Sequence, residues 1–277
     1  LQLKYGLECL RTGTIQHLTE VSRYVYEIAN MNLVSGQPYV GSSAFAHKGG
    51  MHVHAVQKDV STYEHVAPET VGNTRRILVS ELSGVSNIAT KAGKKFNIED
   101  DKTTLRKVLE RVQVLENEGY QFEAAEGSFE LLVRREIGRY RNFFTLDHYR
   151  IVVLRTDGNT PIAEASIKII VDGKAEHTVA EGDGPVAALD AALRRALRSH
   201  YPAIEDLHLT DYKVRVINSK EEASAAVRVV IELARKHGGE TREVFGTIGV
   251  SPNVIDASWQ ALVDAYEYHL LHVEEGT

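Results

Sequence analysis

The strongest constraint on this chain is that its second half repeats itself. YRIVVL at 149–154 matches YKVRVI at 212–217, and ASIKIIV at 165–171 matches AAVRVVI at 225–231, each with a basic residue in the third place after the alanine. GDGP at 182–185 then matches GVSP at 249–252, and Ala-Leu pairs follow at 192–193 and 261–262. The matches keep one order. β-Branched runs broken by glycine turns read as strands, and Gly-x-(Gly/Ser)-Pro reads as the entry to a helix. The expectation is two βββα units related by a pseudo-twofold, the third strand of each short, with each sheet covered on one face by its helix. A unit of that size has too little core to stand alone, which implies pairing within or between chains.

The first half has a different texture. Leu18, Val21, Val25, Ile28 and Ala29 recur at helical spacing within residues 17–30, before Gly36, Pro38 and Gly41 break the pattern. A second helix is predicted over 102–118, with Leu105, Val108, Leu109, Val112 and Leu115 as its stripe. Asp100 or Asp101 caps its start and Gly119 stops it. A third, over 122–139, brings Phe129, Leu132, Val133 and Ile137 to one face. The fold class is therefore α+β, with helices and ordered connectors to about residue 140 and the repeated strands after it.

Composition removes several functions. A net charge of −6 gives no electrostatic reason to expect a nucleic-acid partner. The longest apolar runs are about five residues, far short of the ~20 a membrane helix needs. No signal peptide is evident. The single cysteine, Cys9, rules out an internal disulfide and a cysteine-based zinc cluster and fits a reducing cytoplasm. The chain begins with Leu1, as though inside an element, so a piece of a longer protein is expected.

Three stretches carry candidate chemistry. AFAHKGGMHVHAV at 44–56 holds His47, His52 and His54. In a strand, His52 and His54 point to one face, as two metal ligands should, yet no third ligand stands at a recognisable spacing. A metal pair and a surface or cofactor-contacting histidine both remain open. Tyr63-Glu64 and the following APETVGNTRR place Arg75 and Arg76 either against a phosphate or in solvated ion pairs. GDGP puts Pro185 at a first helical position, where free amides and the helix dipole suit a carboxylate or phosphate. GVSP offers the same with Ser251 as a cap, and simple helix capping explains both equally well.

SAFAHKGGMHVHAV, followed by TYEHVAPETVGNTRRILVSELSGVSNI, resembles the region after the catalytic barrel in the 2-isopropylmalate, homocitrate and citramalate synthase family. VAPETVGNTRRILVSELSG looks most like the citramalate synthases, and residues 142–277 are similar to the family's regulatory domain. The resemblance implies residues 1–40 as the tail of a TIM barrel, 41–140 as helical connecting subdomains and 141–277 as a tandem βββα domain that binds an amino acid and dimerises. It implies an acyltransferase condensing acetyl-CoA with pyruvate, with isopropylmalate or homocitrate synthesis, or a non-catalytic amino-acid-binding dimerisation module, as alternatives. The divalent metal is then expected in the barrel, outside this chain. No metal ligand or cofactor is expected here, and the chain alone is expected to be inactive.

By the same resemblance, His52 reaches a neighbouring subunit's barrel to assist proton transfer, and Tyr63 sits beside it near the thioester. Gly49 and Gly50 let the backbone turn, while His47 and His54 are ordinary polar positions. Isoleucine, the implied effector, would meet Asp183, Gly184, Pro185 and Val186 at the first turn. From the next strand come Leu209, Asp211, Tyr212 and Val216, and from the second repeat Val250 and Pro252. A cytoplasmic homodimer is the expected form.

Overall fold

A computed structural model describes residues 5–6, 10–11, 13–29, 31, 34, 36–41, 43–47, 50–77, 88–155, 160–217, 225–237 and 240–276. Cys9, Gly49 and residues 79–84 lie outside them. The chain forms two compact units, Leu1–Leu109 and Glu110–Thr277. Among the described residues, no helix is long and apolar enough to cross a membrane.

In the first unit, α1 (Leu18–Ile28) forms where the periodicity places it. Its stripe is not covered, however: Leu18, Val21, Val25 and Ile28 are all exposed, whereas Thr19 is buried. The Thr19 hydroxyl donates to the Val71 carbonyl at 2.7 Å. Gly72, at φ +68°, lies so close that a Cβ there would stand 2.1 Å from the Gln16 carbonyl oxygen. The helix is thus tied by its polar side. Two short strands, β1 (Ala46–His47) and β2 (Arg76–Ile77), pair in parallel and bring the histidine stretch beside the arginine pair.

The helix α2 (Gly50–Lys58) buries Val53 and Val56, three residues apart, as one helical face. Further on, α3 (Lys102–Asn117) is capped by Asp101, whose Oδ1 accepts from the amides of Thr103 at 3.1 Å and Thr104 at 3.0 Å. Leu105, Val108 and Val112 of its stripe are buried.

The second unit opens with α4 (Glu126–Glu136), every residue of which from Gly127 to Arg134 is buried. A helix buried all round must satisfy its own charges. Arg134 does so by donating to Glu130 at 2.9 and 3.0 Å and to both oxygens of Glu275 at 2.6 and 2.7 Å.

Strands β3 (Thr145–Leu154), β4 (Ile162–Val171) and β5 (Lys174–Gly182) form one antiparallel sheet in that order, followed by α5 (Pro185–Leu197). Strands β6 (Leu207–Val216), β7 (Val227–His237) and β8 (Glu240–Ser251) form a second, followed by α6 (Val254–Glu275). The central strand β4 alternates cleanly: Ala163, Ala165, Ile167, Ile169 and Val171 face inward and are buried. Asp172 and Gly173 both take positive φ, the two-residue turn that suits the twist of a hairpin. On α5 the Ala-Leu pairs 188–189, 192–193 and 196–197 are all buried against the sheet.

The third strands are not the short ones expected, at 9 residues for β5 and 12 for β8. They carry the closest helix contacts instead. Thr178 donates to the Ala192 carbonyl at 2.7 Å, and Thr247 to the Ala261 carbonyl at 2.8 Å, each across 14 residues. On β8 a Cβ at Gly249 would stand 2.0 Å from the Ala257 carbonyl oxygen, and one at Gly246 would stand 1.8 Å from that of Ala124. Glycine is the residue that lets two backbones approach this closely.

Candidate functional site

His52 and His54 lie on the helix α2 and not on a strand. Two residues on a helix are turned by ~200° from each other, so the two imidazoles diverge and do not fit a shared metal. Among the described residues, no group of three or more histidine, cysteine or acidic side chains is arranged to hold a metal ion.

What α2 does is set His52 on its exposed side, facing Tyr63. The two rings are 4.2 Å apart between centroids and tilted by 32°. Tyr63 follows a short helical turn, Val60–Thr62, whose start is fixed by Asp59 accepting the Ser61 amide at 2.9 Å. Behind this pair lies a buried polar set. Glu64, next to Tyr63, is 7% exposed and accepts from Arg75 Nε at 2.7 Å and Nη2 at 2.5 Å. His47 Nε2 stands 2.8 Å from the same carboxylate, and its ring is 6.4 Å from Tyr63. The Arg75 guanidinium holds the Glu64 carboxyl below the usual range, against the opposing effect of burial.

His47 is therefore not the ordinary polar position expected of it. It is buried and tied to Glu64, because β1 pairs with β2 and so draws Arg75 and His47 to one carboxylate. Arg75 is likewise part of a bidentate pair with a buried partner. The sequence places Glu64 beside Tyr63 and ahead of two arginines but assigns it no role; that spacing was the available signal for the buried pair with Arg75. Asn73 completes the scaffold by donating to the carbonyls of Tyr39 at 2.8 Å and Gly41 at 3.0 Å.

The ten residues assigned to an effector fall into two groups. Asp183, Gly184, Pro185 and Val186 surround the start of α5, where Pro185 is the first helical residue as expected. Gly184 caps that start with its backbone alone, leaving the helix end without a side-chain cap. The other group is spread along the second sheet, with Leu209 and Asp211 toward the start of β6 and Val216, Val250 and Pro252 toward the opposite end. Val227 pairs with Val216 on one side and Ser251 on the other, so Val216, Val250 and Pro252 are neighbours there. Tyr212 joins them through its hydroxyl, 2.8 Å from Ser258 Oγ on α6. A bulge between Leu209 and Asp211 turns Asp211 toward Lys213, with which it pairs.

Ser251 is not the cap of α6. Asn253 is, accepting the Ile255 amide at 2.8 Å, while Ser251 accepts the Asn253 amide at 3.1 Å. The helix starts at Val254, two residues past Pro252, so the second turn does not reproduce the first. Val216 is 60% exposed and Leu209 41%, which leaves an uncovered aliphatic strip on β6.

Comparison with known proteins follows these two regions. Residues 123–270 match the family model described as LeuA allosteric (dimerisation) domain. The chain belongs to that family. Residues 39–120 match a second model, Homocitrate synthase post-HMGL domain-like, which spans the His52–Tyr63 pair. Relatives named (R)-citramalate synthase include those of Geobacter sulfurreducens and Aquifex aeolicus, each 48% identical over 99% of this chain and 52% of the relative. The Synechocystis relative of the same name is 46% identical over 98% of this chain and 49% of its own length. The chain thus spans about half the length of the curated relatives it matches, and the resemblance to the isopropylmalate, homocitrate and citramalate synthase family is borne out.

Proposed function

We propose that the chain is the connecting and regulatory part of an acyltransferase that condenses acetyl-CoA with pyruvate to citramalate, under feedback by isoleucine. The observation that carries this reading is the 48% identity, over 99% of the chain, to proteins named (R)-citramalate synthase. Residues 1–40 then end a barrel, 41–140 connect it, and 141–277 sense the effector. The divalent metal belongs to the barrel, so the chain by itself is inactive. The working form is a cytoplasmic homodimer, and the match to a dimerisation domain supports the pairing. The match of residues 39–120 to a homocitrate synthase region keeps homocitrate or isopropylmalate synthesis as the second reading.

Within this reading, His52 relays a proton in a partner's barrel and Tyr63 holds its ring in place beside the thioester. An imidazole suits the task because it takes up and returns a proton readily near neutral pH. The exposed position of both rings and their 4.2 Å contact support it. Isoleucine would meet the amides at the start of α5 and the aliphatic strip on β6. The two sheet-and-helix units are related by a pseudo-twofold, a reading supported by the matching Thr178 and Thr247 bonds.

Calorimetry of this chain with isoleucine, leucine and valine tests the regulatory part. Isoleucine is expected to bind most tightly, and Tyr212→Ala to weaken it about tenfold; no binding of any of the three overturns the effector reading. In a protein joining this chain to its barrel, His52→Gln is expected to lower kcat by ~10²-fold or more with pyruvate and acetyl-CoA. An unchanged kcat removes His52 from the chemistry.

A further inference from the structure

The second unit contains a cavity of about 310 Å³ that none of the residues assigned above lines. It lies among the end of α3, α4, β8 and α6, in the size range of small-molecule sites. Leu115, Phe122, Trp259 and Val263 give it apolar walls. Its polar end is Asp264, whose side chain is 15% exposed.

The charges around that end do not balance. Arg135 Nη2 donates to Asp264 Oδ1 at 3.0 Å, but it also serves Glu267 Oε2 at 3.5 Å and the Tyr140 hydroxyl oxygen at 3.3 Å. Tyr140 in turn donates to Glu267. One guanidinium thus faces two carboxylates. Arg135 itself lines the cavity, and so do Arg111, which is exposed, and Glu136, which is half-buried, their opposite charges offsetting each other. Asp264 also accepts from Ser128, whose oxygen in turn accepts the Ile248 amide at 3.0 Å. A carboxylate offers about four acceptor positions, so capacity remains toward the cavity. Burial pushes the Asp264 carboxyl up against the pull of Arg135, a cost that a second cation would relieve. Gln260, the other polar wall, is already committed: its oxygen accepts from Tyr120 at 3.0 Å and from the Val250 amide at 3.1 Å, and its nitrogen donates to Asp256.

We infer that this cavity binds a small organic ammonium with a branched apolar body, its nitrogen on Asp264 and its carbons against Trp259, Val263 and Leu115. An anionic ligand is disfavoured because Asp264 and Glu267 already share one guanidinium, and a wholly apolar one leaves the remaining acceptor positions of Asp264 unused.

Trp259 is the only tryptophan in the chain, so its fluorescence reports on this wall alone. Titration of the intact chain with 3-methylbutylamine is expected to give a saturable change, and 3-methylbutanoate at equal concentration none. Asp264→Asn is expected to weaken amine binding at least tenfold. Val263→Phe, which fills the cavity and leaves every charge in place, is expected to abolish it while the circular dichroism spectrum is kept. The inference is overturned by no saturable response to the amine, by equal binding of the carboxylate, or by amine binding that survives Val263→Phe unchanged.

Discussion

The two compact units solve the same problem with different materials. In the second, Ile167, Leu193, Ile231, Leu262 and Tyr266 belong to one continuous buried cluster under two sheets. Its buried charged side chains find polar partners, Arg134 with Glu130 and Glu275, and Glu267 with Tyr140. In the first, the apolar stripe of α1 is exposed, and the His52–Tyr63 pair is backed by one buried carboxylate shared by His47 and Arg75 beside a few buried apolar side chains such as Val53 and Val56. A hydrophobic core tolerates the loss of any one contact, because many small contacts share the work. A polar cluster built on one carboxylate has less reserve, and its failure would be local.

The largest effect that tests this contrast lies at a buried carboxyl of the second unit, Glu267. Burial pushes the Glu267 carboxyl up to about 7. Because the folded pKa lies above the unfolded one, the folded form holds the proton more tightly. Stability contributed by protonated Glu267 is therefore present at low pH and falls as pH rises toward 7, by up to about 3 kcal/mol. Glu267→Gln is expected to flatten that decline in urea titrations run at pH 5 and pH 8. A decline of equal size in the variant refutes the assignment.

Next comes Glu64→Gln, which leaves Arg75 short of charge. Arg75 is about a third exposed and partly screened, so a loss of about 2 kcal/mol is expected. Hydrogen exchange should show it as lost protection confined to residues 45–77, with the sheets unchanged. Loss spread over both units would mean that they share their stability.

The smallest effect sharpens the comparison within the second unit. Thr178→Val and Thr247→Val each remove one hydrogen bond to a helix carbonyl, and each is expected to cost about 1 kcal/mol in thermal unfolding. Equal costs support two equivalent units. Unequal costs argue against the pseudo-twofold.

The repeat made the strands and both long helices legible, because Ile, Val and Ala alternate in β4 and Ala-Leu pairs recur in α5. Pro185 marked a true helix start. The second turn misled, since Ser251 and Asn253 are both good capping residues and only the chain path decides between them. MHVHAV alternates like a strand, yet Val53 and Val56 also fit a helix; six residues do not separate the two periods. The uncovered face of α1 was invisible for a simpler reason: periodicity says that a helix has an apolar side and not what it meets. The cavity beside Asp264 draws its walls from residues 111 to 264, and no local pattern announces a site assembled from such distant positions.

Strand β8 has one further consequence. Gly246 and Gly249 present opposite faces, so the strand is gripped by the backbone at Ala124 on one side and at Ala257 on the other. Side chains absorb displacement by changing rotamer, but a joint of backbone against backbone has no such slack. A push on the first turn of α6 must therefore move β8 or be resisted by it, and whatever moves β8 moves the segment before α4. In mechanical terms the strand is a rigid coupling rod, with α6 at one end and the segment before α4 at the other.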